Sequence, residues 1–208
     1  MDEVILVDAD DRPVGVTGKQ AAHAHGQLHR AFSIIVHDSA GRMLLQQRAR
    51  AKYHSGGLWS NTCCSHPRPG EDTESAAHRR LMEEMGFDCA LYKAHQFVYR
   101  VELDNELIEH EFDHVFIGRC EARPRHNRDE VEAWRWVDPR ELAREAAQRP
   151  QLFTYWFRQC LAEMPSLLQG HGSGGSDKCP WQQRRGQGPG IPHFESASLE
   201  LEARLPFM

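Results

Sequence analysis

The segment Asn61-Thr62-Cys63-Cys64-Ser65-His66-Pro67 places a thiol and an imidazole two residues apart, and Glu109-His110-Glu111 places two carboxylates at the same offset. Side chains at i and i+2 of an extended strand lie on one face, so each segment can aim two reactive groups the same way. A polar stretch at 21–30 adds His23 and His29. Together His23, His29, His66, Glu109 and Glu111 make a mixed nitrogen and oxygen set, suited to zinc, manganese or magnesium in five- or six-coordinate geometry. With a nucleophile-type sulfur added, the groups suffice for a metal site with a catalytic acid–base pair beside it. Any one of these histidines taken alone is more often a solvated surface residue; the shared offset on two segments is what carries the set. Cys64 could instead join Cys63 and His66 around a structural zinc. Zinc sites favour a wider cysteine spacing, and adjacent strand residues face opposite ways, which assigns Cys63 to the core and Cys64 to the chemistry.

Elements must hold these groups. Residues 4–8 and 14–17 flank a turn at 9–13 and read as a hairpin. The stretch 21–30 reads as a loop, 31–37 and 43–47 as a second hairpin, and 48–55 as a basic loop bearing Arg48, Arg50 and Lys52. Gly56-Gly57 then leads into a strand at 58–66, which Pro67 and Pro69 stop. Ala77, Leu81 and Met85 are spaced four apart in a helix at about 72–85, with Gly86 as its terminating residue. Strands follow at 96–103, 107–119 and 132–137, then helices at 139–148 and about 153–168. The expectation is one α/β domain over 1–168, a mixed β-sheet flanked by helices. Residues 169–208 are rich in Gly, Pro and Gln and read as a disordered tail, with a short helix conceivable at 198–205.

Composition narrows the function. The net charge of −5 argues against nucleic-acid binding as the main business, and no apolar run approaches the roughly 18–20 residues that span a bilayer. The acidic start Met1-Asp2-Glu3 is wrong for a secretory signal. A cytoplasmic protein with its six cysteines reduced is expected, as a monomer rather than an obligate oligomer.

The helix between the two motifs carries a further pattern. Glu71, Arg79, Leu81, Glu83, Glu84, Gly86 and Phe87 match the Nudix box, a loop–helix–loop that binds a divalent metal and a diphosphate. Two positions depart: Ser65 replaces the first glycine, and Arg80 replaces a metal-binding glutamate. Exchanging a carboxylate for a guanidinium removes a magnesium ligand and supplies a partner for phosphate, which favours holding a diphosphate over hydrolysing it. The bland alternative is a charged helix with ion pairs Arg79–Glu83 and Arg80–Glu84.

Taken together with Ala22-His23, the run Leu28-His29-Arg30-Ala31-Phe32-Ser33, the run from Trp59 to Pro67 and the run from Glu109 to Phe116, this box resembles type 1 isopentenyl-diphosphate Δ-isomerase over about 1–168. The resemblance implies a Nudix-type α/β/α sandwich and interconversion of isopentenyl and dimethylallyl diphosphates. It implies His23, His29, His66, Glu109 and Glu111 as metal ligands, Cys64 and Glu111 as the catalytic pair, and Tyr99 and Trp156 as active-site aromatics. Glu84 would hold a magnesium ion linked to the diphosphate, with Arg48, Lys52 and Arg80 around the phosphates and no flavin. In that scheme Glu111 with Tyr99 gives a proton to the alkene, Trp156 faces the resulting cation, and Cys64, as thiolate, removes the neighbouring proton. A diphosphohydrolase for nucleotide-type substrates and a purely structural metal module are the rival readings. His25 has no counterpart and is expected to be incidental.

Overall fold

The apolar run 31–36 becomes the axis of the sheet because both of its faces are covered. It lies in β3 (His29–His37), where Ala31 to Val36 are all at most 1% exposed. Before it come β1 (Glu3–Val7), β2 (Pro13–Gly18) and α1 (Lys19–His25). After it come β4 (Met43–Arg48), β5 (Trp59–Ser60), β6 (Cys63–Ser65), α2 (Thr73–Met85), β7 (Leu91–Glu102), β8 (Ile108–Arg119), β9 (Val131–Val137), α3 (Pro139–Gln148) and α4 (Tyr155–Glu163). The computed structural model describes residues 2–103, 106–121 and 123–168. The expected tail at 169–208, with its helix at 198–205, lies outside the described residues.

β3 pairs antiparallel with β6 and parallel with β8, and β8 pairs antiparallel with β7. The result is the expected mixed sheet. One face packs on α2: Phe32, Ile34, Val36, Cys63 and Phe116 form a single core with Ala76, Ala77, Leu81 and Met85. The other face turns toward α4, whose Tyr155 ring lies 6.0 Å from that of Tyr99 on β7. Helix on sheet on helix is the observed layering, as expected. α2 starts at Asp72, whose carboxylate accepts from the Ser75 amide at 3.0 Å. It ends at Gly86 with φ 72°, where a Cβ would sit 2.3 Å from the Arg125 carbonyl oxygen, so glycine is required there.

Several expectations need correction. The stretch 21–30 is not a loop: Lys19–His25 is helical and is closed by Gly26 in the left-handed region, and His29 already lies in β3. The pair 31–37 and 43–47 turns back as expected, but only His37 and Met43 pair, because β3 is drawn to β6 and β8 instead. The strand starting at 96 begins five residues earlier, at Leu91. The last helix is only Tyr155–Glu163, since Pro150 and Pro165 confine their neighbourhoods to single 3-10 turns.

The strand expected at 58–66 is broken in two, and side chains explain the break. Asn61 donates through Nδ2 to the carbonyls of Ile34 (3.2 Å) and Cys63 (2.7 Å). Thr62 donates through Oγ1 to the Leu44 carbonyl (2.7 Å) and accepts from the Val36 amide (2.9 Å). Both residues are fully buried, and their polar atoms stand in for ladder bonds that β5 and β6 cannot complete. Exchanging Thr62 for the isosteric Val orphans a buried amide and a buried carbonyl. Thr62→Val is expected to lower unfolding free energy by about 2–6 kcal/mol, at roughly 1–3 per orphaned group, as measured by urea denaturation; a change under about 0.5 kcal/mol would refute the account of the break.

Candidate active site

Strand pairing brings the two motifs together. On the α4-facing side, Tyr99, Glu111 and His29 stand opposite one another across β7, β8 and β3. Ser33, further along β3, stands opposite Cys64. The two-residue offsets work as expected: Cys64, His66, Glu109 and Glu111 all line one cavity. Cys63, on the opposite face, is fully buried in the α2 core.

His23, His29, His66 and Glu111 each offer one ligand atom within 4.8 Å of the others, and His23, His54 and Glu109 do the same. The back of His29 is tied down, its Nδ1 donating to the Gln27 carbonyl at 2.8 Å, so that Nε2 presents its lone pair to the cavity. Glu111 accepts from the Tyr99 hydroxyl on Oε2 at 2.6 Å, while its Oε1 lies 2.9 Å from His66 Nε2 and 3.6 Å from His29 Nε2.

Almost no water reaches these groups. His23 and His29 are 0% exposed, Glu109 2% and Glu111 8%. Burial holds His23 down to about 3, helped by His29, and His66 down to about 3, helped by Lys19. Burial and the charge of Glu111 raise Glu109 well above the carboxylate range. Burial also opposes charge on Glu111, but its contacts with His29 and His66 prevail and hold it low. Asp113, bonded by Ser33 Oγ at 2.8 Å, is pushed up to about 8 by burial and Glu111.

The residues fit a cation. His23 Nε2, His29 Nε2 and Glu109 Oε2 are buried without a hydrogen-bond partner. Orphaned lone pairs on neutral imidazoles beside carboxylates are what a divalent ion satisfies.

Around Cys64, burial, with Glu84, Glu111 and Asp113 nearby, pushes the thiol up to about 12, and Arg48 only partly offsets this. Arg48 lies on the cavity wall, its guanidinium 5.0 Å from the Trp156 ring. Trp156 is buried and donates from Nε1 to Ser60 Oγ at 3.0 Å.

The other phosphate-binding candidates are elsewhere. Lys52 and Arg80 both pair with Glu130 and do not line the cavity. Both oxygens of Glu84 are engaged, Oε1 by Arg80 at 2.5 Å and Oε2 by Gln46 at 3.1 Å. The ion pairs Arg79–Glu83 and Arg80–Glu84 of the bland alternative are both present. His25 is exposed, with Nδ1 against the Ala21 carbonyl.

Three residues escaped the sequence reading: Lys19 and His54, which line the cavity, and Tyr53, which contacts His23 beside it. Lys19 lies four residues before His23 on α1 and lines the cavity; that signal was hidden once 21–30 was read as a loop. Tyr53 and His54 sit in an irregular loop with no periodicity to mark them.

Comparison with known proteins agrees with this geometry. A family model described as NUDIX domain matches residues 27–157. The chain is 56% identical over 173 residues to isopentenyl-diphosphate Delta-isomerase 2 of Aromatoleum aromaticum, covering 83% of this chain and 92% of that one. It is 55% identical over 166 residues to the isopentenyl-diphosphate Delta-isomerase of Burkholderia multivorans, covering 80% and 94%. A crystal structure from Deinococcus radiodurans shares the fold at a TM-score of 0.59 and 21% identity, over 70% of this chain and 90% of that one. With its box helix, its paired strand motifs and these relatives, the chain belongs to the isopentenyl-diphosphate Delta-isomerase family of NUDIX-domain proteins.

Proposed function

We propose that this chain is an isomerase that interconverts isopentenyl and dimethylallyl diphosphates, supplying isoprenoid precursors. The observation that carries the reading is that Cys64 and Glu111, from different strands, face one cavity whose wall also bears the cations Lys19 and Arg48. The reaction adds hydrogen to one end of a three-carbon unit and removes it from the other. It therefore needs two proton-carrying groups and an anchor for the diphosphate, and no attacking nucleophile.

A divalent ion, whether Mn2+, Zn2+ or Mg2+, would be held by His23, His29, His66, Glu109 and Glu111 and would draw electron density from the Glu111 carboxyl group. The chain's own residues do the rest. Tyr99 fixes Glu111 Oε2 and completes a relay of hydroxyl and carboxyl group. With Cys64 and Glu111 facing one cavity, one direction of the reaction has one of the pair giving a proton and the other taking one. The assignment expected from the resemblance is Glu111 giving and Cys64 taking, and the roles interchange in the return direction. Trp156 lines the cavity, and a carbocation-like centre lying against its ring would gain up to about 2 kcal/mol when desolvated. Its existing contact with Arg48 places that guanidinium where it can bridge the ring and the diphosphate.

Lys19 and Arg48 are the first phosphate anchors. Glu84 can hold a diphosphate-linked Mg2+ only if Arg80 turns from it to phosphate oxygens, one charge pairing exchanged for another. Lys52 would have to leave Glu130 in the same way. Every group this mechanism uses comes from one chain, so a monomer suffices. Cys63, Cys64, Cys89 and Cys160 are free thiols, which suits a cytoplasmic setting. Among the described residues no helix is long and apolar enough to cross a membrane.

A nucleotide diphosphohydrolase fits less well. Glu71, Glu83 and Glu84 of the box are ion-paired with Arg79 and Arg80, and none belongs to the groups able to hold a metal among the described residues.

In deuterated water, wild-type protein with isopentenyl diphosphate and a divalent ion is expected to yield deuterium-labelled dimethylallyl diphosphate. Cys64→Ala and Glu111→Gln should each lower that rate by about 10²–10⁴-fold, read by mass spectrometry. Released phosphate in place of labelled product would establish hydrolysis instead. A strong chelator should stop turnover and added divalent ion restore it; full activity in ion-free protein would remove the cation from the account.

A further inference from the structure

The loop between β4 and β5 contributes nothing to the expected ligand set, yet it touches two of its members. We propose that Tyr53 and His54, neighbours on this loop, are positioning residues for the cation site: Tyr53 sets the ring of His23, and His54 sets the carboxylate of Glu109. The inference rests on reading the His/Glu cluster as a cation site.

The loop is built to aim these side chains inward. Its ends are clamped, Arg48 N–H donating to the Leu58 carbonyl and Gly57 N–H to the Arg48 carbonyl, both at 2.9 Å. Ser55 and Gly57 turn it with φ 52° and 79°. A Cβ on Gly56 would stand 2.6 Å from the Arg50 carbonyl oxygen, so the chain closes over itself there. The clamp drives His54 into the protein, its side chain 5% exposed, with its ring edge-to-face against Trp156 at 5.8 Å and against Tyr53 at 4.3 Å. Tyr53 stacks on His23 at 5.8 Å and brings its hydroxyl 2.5 Å from His23 Nδ1.

Each tie leaves the opposite atom of its partner aimed into the site. With Nδ1 held by Tyr53, His23 has only Nε2 left, and that atom has no partner. With Oε1 lying 3.2 Å from His54 Nε2, Glu109 has Oε2 left; it is equally unpartnered and lies 3.7 Å from His23 Nε2. The two free atoms therefore face one gap. His29 shows the same arrangement with a backbone carbonyl as its tie. Partners behind metal-ligating groups fix ring orientation and basicity and typically govern affinity.

His54 also falls in a group with His23 and Glu109 that could itself hold an ion. His23 Nε2 has a single lone pair and can face only one ion, so the two groups do not amount to two ions sharing His23. With its Nε2 directed at Glu109, His54 acts through that carboxylate rather than as a ligand.

The test is titration of the chelator-treated full chain with Mn2+, followed by calorimetry, with thermal unfolding of the ion-free proteins by circular dichroism alongside. Tyr53→Phe and His54→Ala are each expected to weaken Mn2+ binding by about 10–100-fold. His54→Gln keeps an amide donor toward Glu109 and should bind within about threefold of wild type. In a Glu109→Gln background, His54→Ala should add no further loss, a coupling that a general packing defect would not produce. Wild-type affinity in both Tyr53→Phe and His54→Ala overturns the proposal. So does a His54→Gln protein as weak as His54→Ala, which makes His54 a ligand in its own right. If wild type takes up no Mn2+, the cation-site reading fails first and the inference falls with it.

Discussion

Two carboxylates and three imidazoles, packed together where almost no water reaches them, cannot all be comfortable without a positive charge between them. Burying an ionised carboxylate costs several kcal/mol unless it is paired, and here two stand side by side. Lys19 and Arg48 on the cavity wall offset this only in part, since Glu109 is still raised well above the carboxylate range, and burial holds His23 and His66 well below the ordinary imidazole range. A proton on Glu109 relieves the repulsion, but it leaves His23 Nε2, His29 Nε2 and Glu109 Oε2 without partners. The fold leaves these ligand atoms converging on one gap, and a divalent ion bound there would satisfy them. The rest of the molecule serves to hold that gap open: the parallel pairing of β3 with β8 sets His29 beside Glu111, and β6, on the other side of β3, brings Cys64 and His66 to the same cavity.

The box helix shows the opposite economy. Its carboxylates Glu71, Glu83 and Glu84 are ion-paired within the chain with Arg79 and Arg80. The helix engages its charged groups with one another and packs its apolar face on the sheet. The unsatisfied charge lies instead across the sheet, on the face beneath α4. On that face Cys64, Glu111 and Trp156 line one cavity.

Strand periodicity made much of this legible. Because side chains alternate strictly in a strand, the two-residue offsets in 64–66 and 109–111 gave the shared orientation of four site residues, and the adjacency of Cys63 and Cys64 separated core thiol from site thiol. Helix α3 and the end of α2 were equally plain, since Pro139 and Gly86 mark their ends. Three things were hidden. Helix α1 is short and polar, and histidines drew the eye to chemistry instead of to the four-residue spacing of Lys19 and His23. The gap between β5 and β6 depends on which buried carbonyls Asn61 and Thr62 find, which is a tertiary fact. The upward push on the Cys64 thiol and the pairing of Glu84 depend on neighbours supplied by distant segments, so neither could be read locally.

The central claim is that this buried cluster is a cation site distinct from the box helix. Crystals grown with Mn2+ and examined by anomalous diffraction at the manganese edge test it most directly. The account predicts an anomalous peak within coordination distance of His23, His29, His66, Glu109 and Glu111. No peak among those side chains, or ions confined to Glu83 and Glu84, would contradict it.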